Sequence, residues 1–536
     1  NTDLARHLAN RVKETCNRRK LVGMMNAYVY NILGGRNIIP KSDIPRLLGS
    51  PDIDFFHSPY SYENRDFATG THNSQHAVSS VHAHGKVLID QSDSNTHLVP
   101  PIINRLDPPN DDRNAQTEWE SLQIMKRDIS YTLQHGAYLY WLDGGPGKMF
   151  RWGSTGHGIP EYVPFWYDSP AMKSLIGELQ RVMDENRSRR NLPNAEVAWV
   201  ASCRSAIDRY EEATFSALLV RGLRQWRLPF TGVPFDDYIL EDFESIRKRY
   251  KVYVFPDAHA MSSELRDRIR AKLKEDGALA IWFYAPGFII DHEESLEGME
   301  SLTGMLFQID PTRDYIQAEL TTAEHPIVSG LEGASFGSDV DYRDYARTCN
   351  WFQWPNDPDE YKMSPFFCVN DPDACILGRY RGLMKGGVAV KASHGYESLF
   401  IGTPDAPIAL LRNAFRHAGV HVYSEDDNLV YANSGMLSVT FRSEGCHVIK
   451  LPGKTRVLDA LSGEELAGND HQHRGSVLQR LAQVCNRLQA RGQRHTRQER
   501  TILAVSHQAS DVLGFVPPEP DGVAIAKKLD GQRGAP

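Results

Sequence analysis

Residues 79–98 read SSVHAHGKVLIDQSDSNTHL, and the apolar run Val87–Asp90 within them predicts a strand that ends in a polar cluster. Three more apolar runs predict strands followed by aromatic or polar residues: Lys20–Tyr30, Ile53–Ser58 and Ala137–Leu142. Helical periodicity lies between them, most plainly at Thr117–His135. Strands that alternate with helices predict a parallel sheet. Polar side chains just after such strands are typical of the rim of a (β/α)8 barrel, where active sites lie. The fold class is therefore α/β, and we expect residues 1–190 to form half of such a barrel.

The strand and helix pattern restarts near residue 195. The runs Glu196–Ala201, Lys251–Pro256 and Ala278–Tyr284 predict strands of a second α/β domain at 191–425, which we expect to be doubly wound. An Asp-rich and aromatic stretch at about 329–375 is interpreted as an insertion. Short alternating strands at 426–468 predict part of a small β-sandwich. Residues 469–536 are rich in Gln, Arg, His, Pro and Gly, and we expect an irregular tail.

The composition limits the possible partners. The 536-residue chain is long enough for about three domains, and its formal net charge of −8 gives no electrostatic reason to expect nucleic acid. No run approaches the roughly 20 apolar residues of a membrane-spanning helix. The seven cysteines show no zinc spacing, so they are expected to be mostly free, although a disulfide between Cys368 and Cys375 stays open.

Several segments resemble, in the same order, the β-galactosidase-like enzymes of glycoside hydrolase family 42. They are HSPYSYENRDFATG (57–70), SSVHAHGKVLIDQSDSNTHL (79–98), GAYLYWLDG (136–144), GVPFDDYILEDF (232–243), YKVYVFPDA (250–258), IWFYAPGFI (281–289), LLRNAFRHAGVHVYSEDDN (410–428) and HVIKLPGKTRVLDALSGEEL (447–466). The resemblance covers roughly residues 20–466. It implies the C-terminal half of the catalytic barrel, a flavodoxin-like trimerisation domain and the start of a terminal β-domain.

The resemblance places the catalytic nucleophile, a Glu in the family, at Gln91, and the Arg of the family's following motif at Asn95. Retaining glycosidases need two carboxyl groups, and an amide cannot form the glycosyl ester. The family's acid/base belongs to the first four barrel strands and is expected to lie outside this chain. Asp93 is either a compensating nucleophile or, with Asp90, an ordering group that pairs with Lys86 or a histidine.

Aromatic faces stack on sugar rings, and Arg, Asp and Asn side chains bond hydroxyl groups. By this reasoning and by the resemblance, the candidate sugar-binding residues are Asn26, Tyr28, Tyr60, Tyr62, Arg65, Trp141 and Asp143. For each of them, packing within the loop or the core is the competing interpretation.

Five histidines, namely His72, His76, His82, His84 and His97, raise the question of a metal. His82 and His84 share one face of an extended segment, but no Cys lies near them and their spacing matches no closed zinc site. We therefore expect no metal and no cofactor.

Two functional hypotheses remain. The first is a retaining glycoside hydrolase of the β-galactosidase type, acting on β-linked sugars and inactive as this fragment. The second is a non-catalytic carbohydrate-binding or assembly protein derived from such an enzyme. An incomplete reading frame would explain the absence of an initiating Met, and it leaves the localisation unpredicted. The expected partners are a carbohydrate and, through the second α/β domain and its aromatic run Trp282–Tyr284, two further copies of the chain, but no membrane.

Overall fold

The computed structural model describes the greater part of the chain. These residues are 2–26, 43–61, 65, 67, 70–99, 115–143, 165–189, 193–203, 222–224, 227–321, 324–338, 362–443, 447–453, 456–467, 500–507 and 523–524. Tyr28 and Tyr62, two of the candidate sugar-binding residues, lie outside them. None of the described helices is long and apolar enough to cross a membrane.

Four parallel strands form the first sheet in chain order. They are β1 (Gly23–Met25), β2 (Phe55–Pro59), β3 (Val87–Ser92) and β4 (Tyr138–Trp141). The helices around them are α1 (Thr2–Thr15), α2 (Ile44–Leu48), α3 (Val78–Ala83), α4 (Glu118–His135) and α5 (Pro170–Ser188). The predicted order of strands and helices is thus observed, with β1 covering only part of the predicted run Lys20–Tyr30.

Helix α4 begins and ends at strong local signals. The Thr117 hydroxyl accepts the Glu120 backbone N–H, and the Glu120 carboxylate accepts the Thr117 N–H, which together make a capping box. Gly136 ends the helix with a φ of 68°, a conformation that costs glycine little. Most of α4 is buried, because it packs between the first sheet, α5 and the sheets that follow.

The second sheet has eleven strands. Its parallel strands are β5 (Val197–Ala201), β6 (Phe235–Ile239), β7 (Val252–Phe255), β9 (Leu279–Phe283) and β18 (Tyr396–Ile401). They lie side by side as β6-β5-β7-β9-β18, the 2-1-3-4-5 order of one class of doubly wound sheets. Helices α6 (Ser263–Asp276), α7 (Leu296–Thr303) and α8 (Ile408–His417) accompany them. Strands β8 (Ala260–Met261), β10 (Ile289–Ile290) and β11 (Glu293–Glu294) form a separate small sheet.

Antiparallel strands extend the second sheet beyond β18, and they change the interpretation of residues 329–375. These strands are β12 (Phe307–Asp310), β13 (Gln317–Leu320), β14 (Ser335–Gly337), β15 (Phe366–Val369), β16 (Cys375–Tyr380) and β17 (Gly386–Ser393). The strands β14 and β15, which lie within the supposed insertion, therefore belong to the sheet. The disulfide left open between Cys368 and Cys375 is not formed, since both thiols are free.

The aromatic run offered as a trimer contact is internal. Trp282, Phe283 and Tyr284 are each fully buried, and the Trp282 ring stacks on Phe255 with centroids 4.3 Å apart. This part of the prediction was wrong because a parallel strand covered on both faces has apolar residues at every position.

The C-terminal residues complete a five-stranded sheet. Its order is β19 (Leu429–Ala432), β20 (Met436–Phe441), β24 (Arg500–His507), β22 (Arg456–Asp459) and β23 (Glu465–Ala467). A further pair joins β21 (Ile449–Lys450) to β25 (Val523–Ala524). The expectation of a purely irregular tail at 469–536 was therefore wrong, because β24 lies inside the sheet between β20 and β22.

Strand β24 gives the first prediction. Ala504 pairs with Leu437 on one side and with Asp459 on the other. Ala504→Pro removes the backbone N–H from a central strand, and losing one such hydrogen bond costs about 1 kcal/mol or more. We expect faster hydrogen exchange throughout β20 and β22 by mass spectrometry. Ala504→Ser keeps the N–H and is the control. Unchanged exchange in the proline variant would contradict the placement of β24.

Candidate functional site

The candidate site lies at the carboxyl ends of β2, β3 and β4. Pro59, Gln91 and Tyr140 stand beside one another in the register of the three strands. Successive residues of a strand point to opposite faces, so Gln91 and Asp90 leave β3 on different sides. Both side chains are buried, Gln91 at 7% exposure and Asp90 at 0%.

The Gln91 amide oxygen accepts a hydrogen bond from the Tyr140 hydroxyl at 2.5 Å. The same hydroxyl lies 2.7 Å from Nε2 of His57. Because Tyr140 has one proton and gives it to Gln91, the His57 ring must donate from Nε2. Burial lowers the pKa of His57, although the Gln91 hydrogen bond and the Asp93 charge oppose the shift. The row His57–Tyr140–Gln91 is therefore neutral at neutral pH.

Asp93 is held by Arg65. The Gln91 amide nitrogen donates to an Asp93 carboxylate oxygen at 3.4 Å, and Nη2 of Arg65 lies 2.7 Å from the other oxygen. The Arg65 guanidinium also donates to the carbonyls of Tyr60 and Ser61. Arg65 thus joins the segments that follow β2 and β3.

The partner expected for the aspartates is corrected by these contacts. Lys86 donates to the carbonyls of Ser50 and Ile53, and Arg65, not Lys86 or a histidine, is the ion-pair partner of Asp93. Asp93 is also the one carboxylate in contact with Gln91 among the described residues.

Tyr60 does not form part of a sugar-binding rim. Its side chain is 1% exposed, and its hydroxyl donates to the Asp128 backbone carbonyl at 2.7 Å. The candidate role was wrong because Tyr60 lies inside the packing between the first sheet and α4, where no sugar ring can reach its face.

The remaining candidates lie near the strand ends with mixed exposure. Trp141 is half-buried at the end of β4, with its ring edge-on to Tyr167 at 5.7 Å. Asp143 accepts the Trp166 backbone N–H at 3.0 Å. Asn26 is buried beside β2, and its side-chain nitrogen has no hydrogen-bond partner among the described residues.

The opposite face of β3 carries an unusual carboxyl group. Burial raises the pKa of Asp90 to about 8, and the Asp237 charge adds to the shift, whereas Ser74 and Arg224 oppose it. Asp90 is therefore mostly protonated at neutral pH. The alternation of side chains along a strand places Asp90 on the opposite face of β3 from Gln91, and this could be predicted from the sequence. The burial of Asp90 against the second sheet could not be predicted without the structure.

The histidines of the first 100 residues make separate contacts. His84 pairs with Asp242 at 2.8 Å, and His97 contacts Ser121 at 2.9 Å. Burial lowers the pKa of His76 to about 4. Throughout the described part of the chain, three metal-ligating side chains meet at one place, His325, Glu397 and His417, which the sequence analysis did not identify.

No family model matches this chain, and no curated protein matches it. Several solved structures match it. A catalytic mutant of Gan42B, a GH42 β-galactosidase from G. stearothermophilus, aligns with a TM-score of 0.52 and 13% identity, over 93% of this chain and 65% of its own. The β-galactosidase of the haloarchaeon Halorubrum lacusprofundi aligns with a TM-score of 0.50 and 12% identity, over 85% and 63%. This chain therefore spans less than two thirds of either enzyme, and at such identity the likeness is one of fold.

The raised pKa of Asp90 predicts a dependence of stability on pH. The folded chain keeps this proton up to about pH 8, whereas an unfolded Asp loses it near its ordinary value of 3.8. The free energy of unfolding should therefore fall as the pH rises from about 4 to 8, by up to about 1.4 kcal/mol per pH unit.

Asp90→Asn keeps the shape and removes the titration. We expect urea unfolding to give similar stabilities for both proteins at about pH 3.5, where Asp90 is protonated in both states, and a more stable variant at pH 8. Parallel pH profiles for the two proteins would show that Asp90 is not protonated in the folded chain.

Proposed function

We propose that this chain carries half of a (β/α)8 barrel of a retaining β-galactosidase-type glycoside hydrolase, followed by a flavodoxin-like domain and a β-domain. Four parallel strands in chain order, with helices between them, support the barrel. The 2-1-3-4-5 order of the parallel strands in the second sheet supports the flavodoxin-like domain. The likeness of fold to two β-galactosidases is consistent with both.

Exposed apolar surface supports the view that the first sheet is part of a larger barrel. Leu4, Leu8 and Val12 form a stripe one helical turn apart on α1 and are 60%, 56% and 44% exposed. Met25 on β1 is 58% exposed. Among the described strands, β1 and β4 each pair on one side only. A closed barrel would pair both edges.

The functional proposal rests on the position of Gln91 in the first sheet. It lies at the carboxyl end of β3, where barrel enzymes place reacting groups, and the resemblance assigns the nucleophile to this position. An amide forms no glycosyl ester and carries no negative charge to stabilise an oxocarbenium ion. We therefore propose that the chain as written does not hydrolyse β-galactosides.

A non-catalytic carbohydrate-binding protein is the second candidate. The observation that favours it is the neutral row His57–Tyr140–Gln91, which offers hydrogen bonds without a reactive carboxylate. Trp141, the next residue of β4 after Tyr140, leaves the strand on the opposite face and packs against Tyr167. Binding of methyl β-galactoside that is lost in Tyr140→Phe, without turnover, would favour this candidate.

The proposed loss of activity can be tested by restoring the barrel. The first four barrel strands of a related β-galactosidase would be fused ahead of residue 1, with either Gln91 or the variant Gln91→Glu. On an activated aryl β-galactoside we expect turnover with Gln91→Glu only. The rate with Gln91 should be lower by about four orders of magnitude, as for loss of an essential catalytic group.

Gln180→Glu on α5 is the matched control, because it adds the same carboxylate at an exposed position elsewhere. Equal turnover with Gln91 and Gln91→Glu would place the nucleophile at another residue, and Asp93→Asn would then be tested first.

We also propose that the chain forms a homotrimer through the region 191–425. The proposal rests on the resemblance of this region to the family's trimerisation domain. The aromatic run Trp282–Tyr284 gives it no support, because these side chains are internal. Closed three-fold symmetry is a common form of soluble oligomer. Analytical ultracentrifugation of the full chain should give three times the 60.5 kDa monomer mass. A monomer at tens of micromolar would contradict the proposal.

A further inference from the structure

Three potential metal ligands converge far from the Gln91 site. His325 precedes the 3₁₀ turn Pro326–Val328, Glu397 lies near the start of β18, and His417 is the last residue of α8. Their ligand atoms all lie within 4.8 Å of one another. All three side chains are partly buried.

The fold holds these residues together for reasons independent of any ion. Glu397 and Leu399 are two residues apart on β18, so they share one face of the strand. Asn413 lies one turn before His417 on α8, and its side chain donates to the carbonyls of Ile327 and Ser329 at 3.2 and 3.0 Å. The 3₁₀ turn that carries His325 is thus fixed to the helix that carries His417.

The distances fit a small cation. Nε2 of His417 lies 2.8 Å from a Glu397 oxygen, and the rings of His325 and His417 have centroids 5.1 Å apart. We propose that His325, Glu397 and His417 bind a divalent transition-metal ion of the zinc type. Two imidazoles and one carboxylate are a known zinc ligand set, which leaves a fourth position for water.

Electrostatics favour a cation here. Glu397 contributes a negative charge, and His417 lies at the carboxyl end of α8, where the helix dipole is negative.

Binding requires two local changes. The ion replaces the hydrogen bond between His417 and Glu397. Nδ1 of His325 accepts the Ile327 N–H at 3.3 Å. Coordination through Nδ1 replaces this long hydrogen bond, and coordination through Nε2 moves the ring proton to Nδ1.

The test uses the full chain, freed of metal with a chelator. Zn²⁺ binding is measured by calorimetry and Co²⁺ binding by visible absorption. We expect one Zn²⁺ per chain at this site and a Co²⁺ spectrum of low coordination number. Both signals should be lost in His417→Ala and strongly reduced in Glu397→Gln.

His447→Ala is the control, because His447 also pairs with a carboxylate, Asp426, at 2.8 Å, but with no third ligand among the described residues. The His447→Ala variant should bind Zn²⁺ and Co²⁺ as the unaltered chain does. Circular dichroism without metal shows whether each variant folds. If His417→Ala does not fold, metal binding by the unaltered chain is compared with that of Glu397→Gln and His325→Ala instead.

Stability gives an independent measurement. At a free Zn²⁺ concentration 100 times the dissociation constant, the unfolding equilibrium constant of the unaltered chain should fall about 100-fold. The site variants should show no such change. Equal Zn²⁺ binding by the unaltered chain and the variants, or no binding by the unaltered chain, would overturn the proposal.

Discussion

The buried ion pair between Arg224 and Asp237 of β6 anchors the second sheet to residues that flank the first sheet, and the rest of the structure depends on it. Its atoms lie 2.8 Å apart, with both side chains essentially inaccessible to solvent. Tyr131 of α4 donates to the same carboxylate at 2.7 Å, and the Arg224 guanidinium donates to the Ser74 carbonyl. Burial favours the neutral acid, yet the Arg224 charge lowers the pKa of Asp237. Removing one partner would leave an uncompensated charge inside the protein, so both sheets must keep this arrangement.

This junction explains how an open four-stranded sheet can be ordered. Leu88 of β3 and Val81 of α3 belong to the same apolar core as Trp199 and Ile239 of the second sheet. The first sheet therefore obtains much of its buried surface from its neighbour and not from a closed barrel. The hydroxyls of Ser79 and Ser80 also accept hydrogen bonds from backbone N–H groups of β6. Among the described strands, β1 and β4 each pair on one side only, and this is tolerated because the helical side of the sheet is packed.

Local signals were sufficient for part of this structure. The helical periodicity of Thr117–His135 and the apolar runs predicted α4 and the strands of the first sheet, because those patterns are contained in short segments. They could not predict β24, whose strand partners lie 45 to 69 residues earlier in the chain. Tyr60 was misassigned because sequence does not distinguish a rim aromatic from a buried one. His325, Glu397 and His417 have no common spacing, and only the contacts of α8 with the 3₁₀ turn Pro326–Val328 and with Glu397 bring them together.

The hydrogen bonds around Gln91 suit an amide better than a carboxylate. Its oxygen accepts from Tyr140 and its nitrogen donates to Asp93, so both ends of the side chain are satisfied. A carboxylate at this position could accept from Tyr140 but would face Asp93 across 3.4 Å with a like charge. One of the two groups would then tend to hold a proton, unless Arg65 were shared between them. A working nucleophile here therefore requires Arg65 and Asp93 to rearrange, and the present contacts stabilise the unreactive form.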